Sequence, residues 1–151
     1  MVQSRDSLTG RTWVVVADSS RANIYLRPQR NSPLKEIASF DDPQARLREQ
    51  DLTSDLPGRA SARNGASRDR VDSDFSAKAH ERETFARQIC GTVEHARSCG
   101  EFDELILIAP PRVLGLMREG LSRPTLGRVS REIPKNLVQM PPDRLHPYLT
   151  E

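Results

Sequence analysis

Apolar positions concentrate in two parts of the chain, residues 12–40 and 84–140, and a polar stretch separates them. In the first part, TWVVVADSSRANIYL has an apolar run from Trp13 to Ala17, a polar break from Asp18 to Arg21, and a second run from Ala22 to Leu26. Valines and aromatics on either side of Ser-Ser predict two strands joined by a tight turn. LKEIASF, residues 34–40, alternates imperfectly but has the length of a third strand. Pro28 and Pro33 bracket the connection, where proline is tolerated; inside a central strand it would remove a ladder donor. The first third therefore reads as an antiparallel meander.

The second part changes period. SAKAHERETFARQICGTVEHARSCG sets Phe85, Ile89, Val93 and Ala96 at helical spacing, with Ala86 and Cys90 widening the stripe. This predicts a helix over 77–98, started by Ser76 and stopped by Gly100. EFDELILIAPPRVLGLMREGL follows, a nearly continuous apolar strand that ends at two prolines and turns into a helix through Leu121. A strand buried on both faces between two helices is the mark of a parallel crossover. GRVSREIPKNL, residues 127–137, predicts the last strand, and PPDRLHPYL a short helix with proline in its first turn. The order is β-β-β, a long loop, then α-β-α-β-α. It describes one α/β domain over 11–150 with a mixed sheet, preceded by a flexible lead at 1–10.

Between Asp41 and Ala77 the pattern dissolves into glycine, serine and arginines interleaved with aspartates. With few apolar residues to pin it, this stretch is expected to form a long mobile loop carrying Arg59, Arg63, Arg68 and Arg70.

Composition narrows the picture only slightly. A chain of 151 residues with 36% hydrophobic content suits one core, and a net charge of +2 permits contact with nucleic acid without requiring it. No run approaches the about 20 apolar residues of a membrane span, and MVQSRDSLTG lacks the apolar centre of a signal peptide, so a cytoplasmic protein without membrane contact is expected. Cys90 and Cys99 are nine apart in one helix, hence on opposite sides of it and unable to bridge each other. Both are expected to remain reduced.

Candidate chemistry lies at the strand ends. If the strand at 102–109 and the last strand both run parallel to the first, Asp18, Arg112, Lys135 and Asn136 share the carboxyl edge of the sheet, where open α/β folds bind ligands. The helix that starts there has free N–H groups and a positive dipole end, and Arg112 adds a fork for phosphate or carboxylate. The plainer reading, ranked first, is a rigid corner set by Pro110 and Pro111. Asp103 and Glu104 sit at the opposite end of their strand, so no carboxylate cluster for two-metal chemistry forms. His80, His95 and His146 are scattered, and none is read as having metal-ligand spacing with a cysteine. There is no G-x-S-x-G or phosphate-binding G-x-x-x-x-G-K-[ST] motif. No metal and no cofactor is expected.

TWVVVADSSRANIY, FARQICGTVEHAR and above all LILIAPPRVLGLMREGLS with VSREIPKNLVQMPPDRLHPYL resemble the bacterial host attachment protein family over about residues 11–150. That family is described as required for attachment to host cells and is grouped with bacterial relatives of the archaeo-eukaryotic release factors. The resemblance implies the fold of the release factor central domain, in which a third strand leads through a long loop into a long helix. In release factors that loop carries Gly-Gly-Gln. Here residues 55–71, DLPGRASARNGASRDRV, hold single glycines and no such motif, so peptide release is not carried over. The family also usually places aspartate where this chain has Asn136, which removes a charge from the edge.

Three functions follow as expectations. The first is a non-catalytic binding module that contacts RNA or the ribosome. The second is a protein-interaction adaptor that supports attachment indirectly. The third, a small hydrolase at the carboxyl edge, ranks last because no nucleophile–base pair is evident. The oligomeric state is open.

Overall fold

In the computed structural model, residues 11–29, 31–43 and 65–150 are described, without the side chains of 65–76 and 78. The valine-rich first segment forms β1 (Thr12–Ala17), and a three-residue turn returns the chain as β2 (Arg21–Arg27). The third strand, β3 (Lys35–Asp41), continues the antiparallel meander with a register shift between Ile24 and Tyr25. After it come α1 (Gly65–Ser98), β4 (Glu104–Ile108), α2 (Pro111–Gly120), α3 (Arg123–Leu126), β5 (Val129–Ile133) and α4 (Pro142–Thr150). One five-stranded sheet results, in the order β3-β2-β1-β4-β5. β1 pairs antiparallel with β2 and parallel with β4, and β4 pairs parallel with β5. The mixed sheet read from the sequence is therefore present, strand for strand.

Every residue of β1 is buried, as are Leu105 to Ile108 of β4. Alternation sends Trp13, Val15, Leu105 and Leu107 to one face, where they meet Phe85, Ile89 and Val93 of α1 and Val113, Leu114 and Met117 of α2. Val14, Val16, Ile106 and Ile108 face the other way, onto Val138 and onto Leu145 and Leu149 of α4. The result is three layers. Hydrophobic runs with no polar alternation are what such two-sided cover demands.

α1 and α2 lie side by side, both running from the carboxyl edge of the parallel strands toward the amino edge. They approach so closely that a Cβ on Gly120 would sit 2.8 Å from the Cys90 sulfur. α1 ends in a Schellman motif. The Gly100 N–H donates to the Arg97 carbonyl at 3.0 Å and the Glu101 N–H to the Ala96 carbonyl at 2.9 Å. Gly100 takes φ 70, a left-handed conformation that a side chain makes costly.

Three sequence-based boundaries change. α1 starts at Gly65 and not near 77, so residues 65–77, Arg68 and Arg70 among them, belong to a helix and not to a loop. No proline or glycine interrupts residues 66–90, so helix nucleated by the docked half can propagate back through them. α3 was not expected, and its buried Thr125 hydroxyl accepts from the Arg97 guanidinium at 2.7 Å. The last strand is also shorter than 127–137, ending at Ile133 before Pro134. The lead at 1–10 and the remainder of the expected loop, with Arg59 and Arg63, fall outside the described residues.

The α2–α3 junction is fastened to α1 by Glu94. Its two carboxylate oxygens accept from the Ser122 N–H at 2.5 Å and the Ser122 hydroxyl at 2.9 Å, and Arg97 lies 3.7 Å away. Desolvation is the largest single influence and pushes the Glu94 pKa up, but the Ser122 and Thr125 hydrogen bonds and the Arg97 charge together hold it below its ordinary 4.5. A carboxylate with a lowered native pKa stabilises the fold fully above its unfolded pKa. That contribution is lost as pH falls through the native value. Urea unfolding of the wild type and Glu94→Gln should therefore show a stability gap near neutral pH that closes between about pH 5 and about pH 3. A gap independent of pH would contradict this role.

Candidate binding edge

Because β1, β4 and β5 are parallel, their carboxyl ends line one edge, which the β1–β2 turn and the end of β3 extend. Asp18 leaves β1 here. Its Oδ1 accepts from the Ser20 N–H at 2.9 Å and the Arg21 N–H at 2.7 Å, while its own N–H donates to the Arg21 carbonyl at 2.8 Å. The Asp42 N–H donates to the Ser20 carbonyl at 2.8 Å and ties the end of β3 to the same turn. Asp18 thus organises a turn, as short acceptor side chains do when they bond backbone N–H groups two and three residues on.

β4 ends at the APPR segment. Pro110 adopts φ −59 and ψ 155, Pro111 opens α2, and no side chain caps the helix. The Leu114 N–H donates to the Pro110 carbonyl at 2.9 Å, starting the helical ladder. Arg112, on the first turn, is exposed and makes no hydrogen bond or ion pair among the described residues. The α2 layer lies on the α1 face of the sheet.

β5 ends differently. The Ala109 and Lys135 N–H groups both donate to the Ile133 carbonyl, at 3.1 and 2.9 Å. The Lys135 ammonium sits 5.1 Å from the centre of the Tyr148 ring, and the Arg131 guanidinium donates to the Tyr148 carbonyl at 3.1 Å, so both hold α4 on the opposite face. Asn136 Oδ1 accepts weakly from the Val138 N–H at 3.4 Å, and the Val138 carbonyl accepts from the Asn23 amide at 3.4 Å. The topology therefore brings the four sequence-predicted residues to one edge. Three of them support turns or helix docking, and Arg112 is left facing outward.

Arg21 escaped the sequence reading. It begins β2 at this edge, half-buried, and its Nε is buried with no hydrogen-bond partner among the described residues. No motif signals such an atom. A second concavity lies elsewhere, an open groove of about 560 Å³ between residues 31–34 and the first turns of α4, where Pro142, Asp143 and His146 face Pro33 and Leu34. Among the described residues no three His, Cys, Asp or Glu side chains gather as a metal site, and no helix is long and apolar enough to cross a membrane.

If Asp18 is a structural corner, Asp18→Ala should lower stability by about 1 kcal/mol by removing the side-chain acceptor of the Ser20 and Arg21 N–H groups, whereas Asp18→Asn, which keeps Oδ1, should lie near the wild type. Chemical denaturation decides between them. Equal stability of wild type and alanine variant would remove the corner role.

A family model described as "Protein required for attachment to host cells" matches residues 13–149. No curated protein matches the chain.

Proposed function

The chain belongs to the host attachment family, and on that premise we propose that it is a non-catalytic binding module that engages RNA, as found in the translation machinery, with the carboxyl edge of its sheet and the N-terminal half of α1. The observation that carries this reading is the length of α1. The helix has 34 residues, and among those whose side chains are described the first that it contributes to the core is Phe85. At about 1.5 Å per residue, residues 65–84 add about 30 Å of helix ahead of Phe85. They do so on the carboxyl side of the sheet, where the N-terminus of α2 and Arg112 lie.

A helix in that position, preceded by an arginine-bearing segment, resembles the part of release factors that reaches ribosomal RNA, and this supports RNA as the partner. The free N–H groups at the start of α2 and the Arg112 fork suit a phosphate. Acidic side chains alternate with the basic ones along 65–84, which limits indiscriminate attraction to polyanions and favours a shaped RNA. The hydrolase reading gains nothing from the geometry, since Asp18 and Lys135 are both engaged in holding the fold. The adaptor reading draws on the groove lined by Pro33, Leu34 and Pro142, an apolar surface suited to a protein segment. The two readings separate experimentally.

Tagged protein recovered from lysate at low salt should retain RNA, and nuclease or high salt should release it. Arg112→Glu and Arg59→Ala, Arg63→Ala and Arg68→Ala should each weaken binding, and each neutralised phosphate contact should reduce the slope of log affinity against log salt by about 1. A protein partner that persists through salt and nuclease would overturn the RNA reading in favour of an adaptor.

A further inference from the structure

The sequence reading found no histidine at metal-ligand spacing from a cysteine, and the fold places one such pair in contact. His95 and Cys99 are four residues apart, and the helical ladder continues through them, with the Cys99 N–H donating to the His95 carbonyl at 3.0 Å. They therefore share one face of the last turn of α1. The imidazole Nε2 and the Cys99 sulfur stand 3.7 Å apart at the exposed amino edge of the sheet, opposite the candidate binding edge.

We propose that His95 and Cys99 form a two-point chelate for a borderline divalent cation, with zinc the best fit. The separation of the donors carries the argument. With zinc–sulfur near about 2.3 Å and zinc–nitrogen near about 2.05 Å, two donors 3.7 Å apart subtend about 116° at the ion, close to a tetrahedron. One thiolate and one imidazole are the ligand pair that zinc takes in preference to hard oxygen-seeking cations.

The backbone also holds the pair in place. The Schellman motif at Gly100 fixes the end of the helix, so Cys99 is not on a fraying turn. The carboxyl end of a helix dipole favours a positive charge beside it. Two cations lie close by, and both are engaged elsewhere. Arg11 donates to the Gly100 carbonyl at 2.6 Å and lies 3.9 Å from Asp103, and Arg97 donates to Thr125.

On binding, the thiol S–H breaks, a sulfur–metal bond forms and the proton leaves to solvent, while Nε2 of the neutral imidazole gives its lone pair. Among the described residues no third ligand joins the pair. Two positions on the ion are left for water or for the same pair from a second copy of this chain. Cys90 takes no part. Burial, and then the Glu94 charge, push its thiol up to about 11, and it faces α2.

The test is titration of the reduced full-length chain with cobalt(II), followed by zinc, with sedimentation in parallel. A sulfur-to-cobalt charge-transfer band, with the intense visible absorption of a tetrahedral ion and displaced by zinc, is expected. Cys99→Ser should abolish the band, His95→Ala should prevent its saturation, and Cys90→Ala should leave it intact. One ion per chain at monomer mass means a site completed by water; one ion per two chains at doubled mass means a site shared between copies. Absence of the band in the wild type, or its survival in Cys99→Ser, overturns the proposal.

Discussion

The parallel pairing of β1 with β4 is the constraint from which the rest of this structure follows. A parallel pair cannot be closed by a tight turn, so the chain must leave β1, travel, and return to the same end. The two strands also lie at the centre of the core, with Val14, Val15, Leu105 and Leu107 all at 0% exposure. Residues buried on both faces require cover on both faces. α1 and α2 provide it on one side, and α4 provides it on the other. Once that is settled, the carboxyl ends of three strands and the N-terminus of α2 have no choice but to share an edge.

The character of that edge comes from what its residues already do. Asp18 accepts two backbone N–H groups, Lys135 leans on Tyr148, and Asn136 supports the turn to α4. Arg112 and the uncapped start of α2 are better placed to meet an anion. On the proposed reading this edge serves recognition, together with the helix that starts at Gly65.

Much of this was legible in the chain. TWVVVA and ELILI declare two-sided burial because they have no polar alternation, and the Asp-Ser-Ser break between β1 and β2 declares a turn. Phe85, Ile89, Val93 and Ala96 mark the docked half of α1 because burial imposes the helical period. What burial does not impose, the sequence hides. Residues 65–76, where glycine, serine and arginine interleave with aspartate, read as loop although their backbone is helical. α3 is a single turn held by Thr125 and Arg97, contacts made across 28 residues that no local pattern encodes. The buried Nε of Arg21, without a partner among the described residues, and the His95–Cys99 pair likewise depend on how the chain settles in space.

The account stands most directly on where a partner touches. Hydrogen–deuterium exchange of the chain alone and with purified bacterial ribosomes or their RNA would report this at the level of short segments. Slowed exchange in residues 65–84, with matching protection around Arg112 and Lys135, is the predicted result. Protection confined to residues 31–34 and the start of α4, or none anywhere, would contradict it and leave the groove as the surface that matters.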